Sequence, residues 1–422
     1  MHAGHAPAND GTRASPCHAA DRQATVFKRQ QRHERGSMSN TSGMAADDAL
    51  FTTLNGIPAV DFPSNLRAAM AIRRRMTSIL ADVMSLRRGL GRLVPAEFFY
   101  YRLWEPALTR EAKRQFVGKQ AQHPMHIACN NTGWYAAAAD KLLFQTLMTG
   151  AGFPRPELLA VTAPGRQVPG GRVLRDQAEI AGFLRDPSNY PLFAKPIDGK
   201  YSISVVSADG FDVAANGVVL QGGDLVTVEE LATTLASREA GYLLQRRMKA
   251  HPRLATLFGP PLWSVRVLVL LTATGPIIHR AVAKIATGRN PADNFWRRGN
   301  MIGAIDLTTG QITRVVRGTG ANMTVNPLHP DTGRAIIGTV IPEWDRLAAL
   351  AKEASRLLPA IRTQSWDIAV TDEGPIPLEV NFGGDLNLAQ LASGAGVLDE
   401  AYRSHLTSCG YKGLGSPGRQ RR

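Results

Sequence analysis

Asp367, Glu379 and Asn381 lie in the stretch SWDIAVTDEGPIPLEVNFGGDLN, residues 365–387. Two apolar runs of β character carry them, and carboxylates are costly on strands bound for a core. With arms at 366–371 and 375–381, the intervening DEG suits a three-residue loop with Gly374 in the left-handed region. That register sets Thr371 opposite Pro375 and Asp367 opposite Glu379. Asn381 shares the Glu379 face, because alternate residues point the same way. Pro375 and Pro377 have no N–H, which assigns this face to the non-hydrogen-bonded rungs, where side chains approach closest. Two carboxylates roughly 5 Å apart repel by about 3 kcal/mol at an effective dielectric of about 20. Three arrangements offset that cost. Mg²⁺ takes carboxylate and amide oxygens and completes its shell with water and phosphate. Arginines can pair with the acids, or the two acids can share one proton. The hairpin alone leaves all three open.

Cations sit in equally apolar surroundings. Lys195 lies in FAKP, where a strand would bury it, and a buried ammonium needs a partner such as a phosphate or a structural carboxylate. Arg266 interrupts VRVLVLL; its planar fork suits a phosphoryl group, or equally Asp367 or Glu379. Arg280 and Lys284 are four apart on the next strand, hence on one face, where they hold an anionic substrate or form an outer ion-paired surface. Asp293 and Asn294 follow in a polar loop that is either substrate-facing or a solvated turn. His279 and His329 lack neighbours at metal-ligand spacing, so both are expected to be structural. Gly318–Gly320 lacks the strand and helix that would make it a dinucleotide loop.

The surrounding elements are those of an α+β chain. Residues 66–93 place apolar groups at helical spacing with Arg on the other face. This predicts a helix that packs on its own protein rather than on a membrane surface. PAEFFYYRLWEP is expected to be helical with Pro95 in its first turn, and HIACNN reads as a short strand. DKLLFQTLMTGAGFPRP is a helix stopped by Gly150 or Gly152. PLFAKPIDGKYSISVVSADG reads strand, loop, strand, GYLLQRRM is a strand, and residues 262–288 form a hairpin closed by a Gly-Pro turn. PEWDRLAALAKEASRLLP is an amphipathic helix before the acidic hairpin, and LNLAQLASGAG follows it. Hairpins outnumber βαβ crossovers, which argues against a doubly wound sheet.

The 422 residues exceed what one core usually holds, and no apolar run is long enough to span a bilayer. Cys17, Cys129 and Cys409 are far apart, without the spacing of a zinc site or a disulfide framework, which fits a reducing cytoplasm. The net charge is +14; residues 1–45 and 412–422 supply half of it, within basic tails expected to be disordered over 1–45 and 406–422. Nucleic-acid attraction is therefore expected only of the tails. Met38 and Met44 are alternative starts.

The spacing D-x(11)-E-x-N resembles the late hairpin that carries the acidic metal ligands of ATP-grasp enzymes, matched here by Asp367, Glu379 and Asn381. FAKP resembles the strand whose Lys holds ATP phosphates, YLLQRRM the strand that meets adenine, and Arg266 the Arg of the following strand. LLQRRMKAHP, DNFWRRGNMIGAIDLTTG, HPDTG and IPEWD are similar to the sugar-transfer-associated group, some of whose members are related to α-L-glutamate ligases. The resemblance runs over roughly 92–404. It implies an ATP-grasp fold with a helical region at 46–130 and a grasp domain at 131–405, its lid at about 190–245 and its core at about 246–405. It implies ATP and Mg²⁺ as cofactors, and a small or sugar-linked carboxylate as substrate. Lys195 and Lys141 would face the nucleotide phosphates, with Leu244 and Gln245 at the base and ribose. Asp293 and Asn294 would lie near the substrate. The pattern departs from relatives at two points. DGKYSISV has only Gly199 where a Gly-rich loop is common, so Lys200 and Ser202 would take over phosphate contact. Gln145 stands where relatives carry a second Lys, with Lys141 one turn away. The implied activity is a carboxylate–amine or carboxylate–thiol ligase; a kinase and a non-catalytic nucleotide-binding module are the alternatives.

Overall fold

A computed structural model describes residues 60–414, apart from 73, 169–170, 199–203, 289, 291–292 and 296–298. Lys200, Ser202, Gly199, Cys17, Met38, Met44, residues 1–59 and 415–422 thus lie outside the described residues, whereas 406–414, expected within a disordered end, are described, and 406–408 close the helix Glu400–Ser408.

Helices come first: α1 (Phe62–Ala71), α2 (Met76–Arg88), α3 (Pro95–Tyr100) and α4 (Lys119–Cys129). The helix expected over 66–93 is broken in two. On α2, Ile79, Val83 and Leu86 are buried at three- and four-residue spacing. Met76, Leu80 and Met84 of the same helix stay exposed. HIACNN is not a strand. Its first four residues end α4, which buries Ala121, Met125 and Cys129 four residues apart. That spacing outweighs the local β-like apolar run, even with Pro124 inside the helix.

α5 (Lys141–Gly150) begins at Asp140, whose carboxylate caps the N–H groups of Leu142 and Leu143 at 2.9 Å. A six-stranded sheet follows: β1 (Leu158–Val161), β2 (Leu192–Pro196), β3 (Val206–Asp212), β4 (Gly217–Leu220), β5 (Leu225–Thr227) and β6 (Tyr242–Arg246). Its spatial order is β1-β6-β2-β3-β4-β5. α6 (Gln177–Leu184) and α7 (Val228–Ala236) pack their apolar faces on it.

The second sheet has seven strands: β7 (Ser264–Thr272), β8 (Gly275–Ile285), β9 (Met301–Ile305), β10 (Ile312–Arg317), β11 (Thr324–Val325), β12 (Thr363–Thr371) and β13 (Gly374–Phe382). They run in the order β11-β10-β9-β8-β7-β12-β13, each pair antiparallel. α8 (Trp344–Ser355), α9 (Leu386–Ser393) and α10 (Glu400–Ser408) complete the layers. Both faces are covered, which explains the unbroken apolar run of β7. Val265, Val267 and Val269 face the core shared with α8, while Leu268 and Leu270 face the core shared with the N-terminal helices and α9. The β7–β8 turn is Ala273-Thr274, because Thr272 pairs with Gly275, so no Gly-Pro turn is present. Among the described residues no helix is long and apolar enough to cross a membrane.

The acidic hairpin reaches the expected pairing by a different route. Thr371 pairs with Gly374, leaving the two-residue turn Asp372-Glu373 instead of a three-residue loop. Ile368 then pairs with Pro377 and Asp367 with Glu379, so Leu378 has no rung partner. One extra residue in β13 compensates for one fewer in the turn, and the two acids end opposite each other.

Candidate active site

Four adjacent strands set a row of charges on one sheet face. Glu379 pairs in register with Asp367, Asp367 with Arg266 and Arg266 with Val282, and Lys284 stands two residues beyond Val282 on the same face. Neighbouring strands are about 4.8 Å apart, so this row closes directly into ion pairs. Arg266 donates from Nε and Nη2 to the two Asp367 oxygens, each at 2.7 Å. Lys284 Nζ adds a third bond to Asp367 Oδ2 at 3.1 Å and lies 3.2 Å from Asp293 Oδ1. Ser264 donates its hydroxyl to the other oxygen of Asp293. Two cations and two carboxylates thus form a buried, neutral cluster.

Burial disfavours the charged form of Asp367, but Arg266 and then Lys284 outweigh it and hold the carboxyl well below the usual carboxylate range. Burial also opposes the charge of Lys284, yet Asp293 and Asp367 raise its ammonium. Of the arrangements left open by the sequence, the arginine pair is the one Asp367 adopts.

The other two acidic-hairpin groups are less committed. Glu379 is partly exposed and has Lys141 at 3.9 Å. Asn381 points a buried amide nitrogen at no hydrogen-bond partner among the described residues. A half-turn of that amide exchanges nitrogen for oxygen without changing its shape, so the position can present an acceptor. Glu379 and Asn381 therefore fit a hard divalent cation. Asp367 offers what remains after three of its roughly four acceptor positions are filled.

Lys195 approaches from the other sheet. Leu192 and Ala194 of β2 are buried in the small sheet's own packing, and alternation turns Phe193 and Lys195 the other way. Its Nζ reaches the carbonyl of the unpaired Leu378 at 3.4 Å. Burial is the largest influence on Lys195 and lowers its ammonium to about 8, with Glu379 pulling in the opposite direction. Lys141, at the start of α5, completes the approach to Glu379. A cleft of about 970 Å³ between the sheets is lined by Lys141, Lys195, Gln245, Arg266, Lys284, Asp293, Asn294, Asp367, Glu379 and Asn381 among others. Its described lining holds eight Lys or Arg side chains against five Asp or Glu.

Other expected positions fall elsewhere. Leu244 does not line the cleft. It and Gln245 have ladder partners on both sides, Ala160 and Leu158 in β1, Ala194 and Phe193 in β2, so their backbone groups are used within the sheet. The chain leaves the ladder only after Arg246, which pairs with Leu192, and the cleft is lined by the Gln245 side chain and by 246–250. The Gln245 amide donates to Gln145 at 2.9 Å, and Gln145 donates to the Pro156 carbonyl. Gln145 thus braces α5 against the strand, and Lys141 is the cation of that helix in the cleft. Arg280 shares the face of Lys284, as expected, but lies outside the cleft lining. Asp399 at 2.9 Å and the carbonyls of His279 and Gly396 hold its guanidinium. His279 bonds to the same Asp399, in keeping with a structural role.

Sequence reasoning missed Lys284 as the partner of Asp367, and missed Lys119 and Asp385. Asp385 caps α9 and accepts from Lys119 at 2.9 Å. Burial opposes its charge, and Lys119 overcomes this to lower its carboxyl. The GG before Asp385 carried the signal. Gly384 has φ +62°, and a Cβ there would collide with the Ser365 side chain of β12. Gly384→Ala is expected to lower stability by about 2–4 kcal/mol, read as a fall in urea midpoint at unchanged m-value. An unchanged midpoint would refute the close approach.

Comparison with solved structures finds distant likenesses. The VanG D-Ala:D-Ser ligase of Enterococcus faecalis matches at 14% identity with a TM-score of 0.38, over 67% of this chain and 64% of that one. The D-alanine–D-alanine ligase of Coxiella burnetii matches at 11% identity and 0.36, over 67% and 61%. The biotin carboxylase domain of the Hydrogenobacter thermophilus 2-oxoglutarate carboxylase, solved with MgADP, ADP and bicarbonate, matches at 12% and 0.30, over 61% and 46%. The chain thus spans between about half and two thirds of the length of these proteins. No curated protein sequence matches it. The model of the sugar-transfer associated ATP-grasp family matches residues 122–404, two thirds of the chain and every residue of the charged row, and the protein belongs to that family.

Proposed function

We propose that the protein is an ATP- and Mg²⁺-dependent ligase that joins a carboxylate to an amine or thiol through an acyl phosphate. The observation that carries this reading is the cation-rich cleft in which Glu379 and Asn381 sit beside Lys141 and Lys195. Such a lining favours a polyphosphate anion. Glu379 and Asn381 would hold the metal, with the remaining acceptor position of Asp367. When bound, Mg²⁺ supplies charge neutralisation and orientation of the phosphates.

Lys195 and Lys141 draw the phosphate tail to the inner wall. Arg266 and Lys284, kept charged by Asp367 and Asp293, offset negative charge developing on the transferred group. A substrate carboxylate oxygen forms a bond to the γ-phosphorus while the bond to the ADP oxygen breaks. An amine or thiolate then bonds to the acyl carbon, inorganic phosphate leaves, and an amine's proton passes to solvent. No covalent bond to the enzyme is needed. The segment 246–250 is the edge we assign to the base in place of Leu244 and Gln245. Asp293 and Asn294 are assigned to the substrate side of the cleft. We infer a carboxylate on a sugar or amino-acid precursor of the cell envelope, of which the family's description supports the association with sugar transfer.

Incubation with ATP, magnesium, a panel of such carboxylates and hydroxylamine tests this reading. A hydroxamate formed in step with ADP is expected. ADP accompanied by a phosphorylated hydroxyl and no hydroxamate would make the protein a kinase instead, and nucleotide binding without turnover across the panel would make it a binding module.

Lys195 yields a further expectation. At pH 8, close to its lowered value, the side chain is about half protonated without ligand. Charge on a bound phosphate restores the ordinary value, so MgATP binding at pH 8 takes up to about half a proton. Titration calorimetry in buffers of different ionisation enthalpy measures this uptake. It should vanish in Lys195→Met and at pH 6; uptake persisting in the variant would assign it to another group.

A further inference from the structure

Three side chains with no part in the cleft meet at the opposite end of β12. Cys129 closes α4, His405 lies in the last turn of α10, and Cys409 follows four residues later. Their ligand atoms all lie within 4.8 Å of one another. Cys409 Sγ is 3.7 Å from His405 Nε2, which also meets the Thr363 hydroxyl at 2.9 Å. Both cysteines are reduced; Cys129 and His405 are buried, and Cys409 is half-buried. The other ring nitrogen of His405 is buried with no partner among the described residues, so the imidazole finds polar neighbours only on the side of the sulfurs.

We propose that Cys129, His405 and Cys409 form a zinc site that clips the end of α4 to the end of α10, beside the start of β12. Two thiolates and an imidazole are a donor set that Zn²⁺ favours. Tetrahedral Zn²⁺ with bonds of about 2.3 Å to sulfur and 2.0 Å to nitrogen sets sulfur–sulfur and sulfur–nitrogen spacings of about 3.5–3.8 Å. The 3.7 Å spacing already present meets that, and the rest must contract by no more than about 1.3 Å from the 4.8 Å limit. A disulfide would join the two sulfurs but leave His405 without a role. Binding releases the two thiol protons to solvent, and the fourth position, on the exposed side of Cys409, takes water. The site lies beside the start of the strand that carries Asp367, yet shares no residue with the cleft lining.

The full chain carrying Cys17→Ser, reduced and stripped with chelator, is titrated with Co²⁺ and then Zn²⁺. A thiolate-to-cobalt charge-transfer band saturating at one equivalent, and displaced by Zn²⁺, is expected. Cys129→Ser and Cys409→Ser should each weaken binding by at least about tenfold, and His405→Asn should weaken it as well. Zn²⁺ should also raise the thermal midpoint of the parent and slow alkylation of both thiols. Uptake no tighter than in the doubly substituted Cys129→Ser/Cys409→Ser chain would overturn the proposal. Should that variant fail to fold, thiols alkylated at the same rate with and without Zn²⁺ would do so. Peroxide that oxidises the pair to a disulfide equally fast with Zn²⁺ present would do so too.

Discussion

Asp367→Asn is expected to lower the stability of the chain by about 3–5 kcal/mol, the largest effect of any single change in the cleft. Asn matches Asp in size but carries no charge, so Arg266 and Lys284 would be left with one buried carboxylate between them, Asp293. At 2.7 Å on two bonds, the pair with Arg266 has the geometry of a forked, charge-assisted contact and little solvent to replace it. Chemical unfolding at neutral pH measures the loss directly. The sign of its pH dependence follows from the lowered carboxyl. Asp367 contributes fully above the ordinary carboxylate value of about 4 and loses its contribution only as pH falls through the lowered folded value. The difference between parent and variant should therefore be constant from neutral pH to about 5 and shrink in acid. Adding Lys284→Met to Asp367→Asn should recover part of the loss. A variant as stable as the parent would show that solvent, rather than the carboxylate, satisfies Arg266.

Glu379→Gln should do the reverse. Its carboxylate is partly exposed and its ion pair with Lys141 is long, at 3.9 Å, an arrangement worth under about 1 kcal/mol. Stability should be nearly unchanged. If Glu379 holds the metal over the phosphates, turnover should fall by about 10²–10³-fold, most clearly in kcat. Excess Mg²⁺ should restore part of it if affinity is what the substitution lowers. Full turnover in Glu379→Gln would remove Glu379 from the ligand set without touching the Asp367 cluster, so the two variants separate architecture from chemistry.

The acidic pairing of Asp367 with Glu379 was legible because residues of opposite arms were counted outward from a turn. The count rested on the wrong turn, and only the unpaired Leu378 restored it; a bulge leaves no mark in composition or alternation. The helix α8 was legible from its amphipathic period and α5 from its apolar run and the glycines that stop it. α4 was not, since the short run His126–Cys129 at a helix end looks the same as a short strand. Lys195 and Arg266 stood out as charges in apolar runs. Lys284 stood out equally, but pairing it with Asp367 requires knowing that β12 lies beside β7, a contact between segments about 100 residues apart. The same holds for Cys129, His405 and Cys409, whose sequence spacing gave no hint of their meeting.

The ammonium of Lys195 rests on the backbone oxygen of Leu378, the one hairpin residue the ladder leaves unmatched. That contact ties the small sheet to the large one across the gap a nucleotide would enter. An arriving phosphate competes for the same ammonium, so loading the gap undoes a tether that holds it. At 3.4 Å that tether adds to the backbone bonds that join 249–251 to β12, and Lys195→Met should let the halves drift apart even in the absence of any nucleotide, visible as a larger radius of gyration in solution scattering.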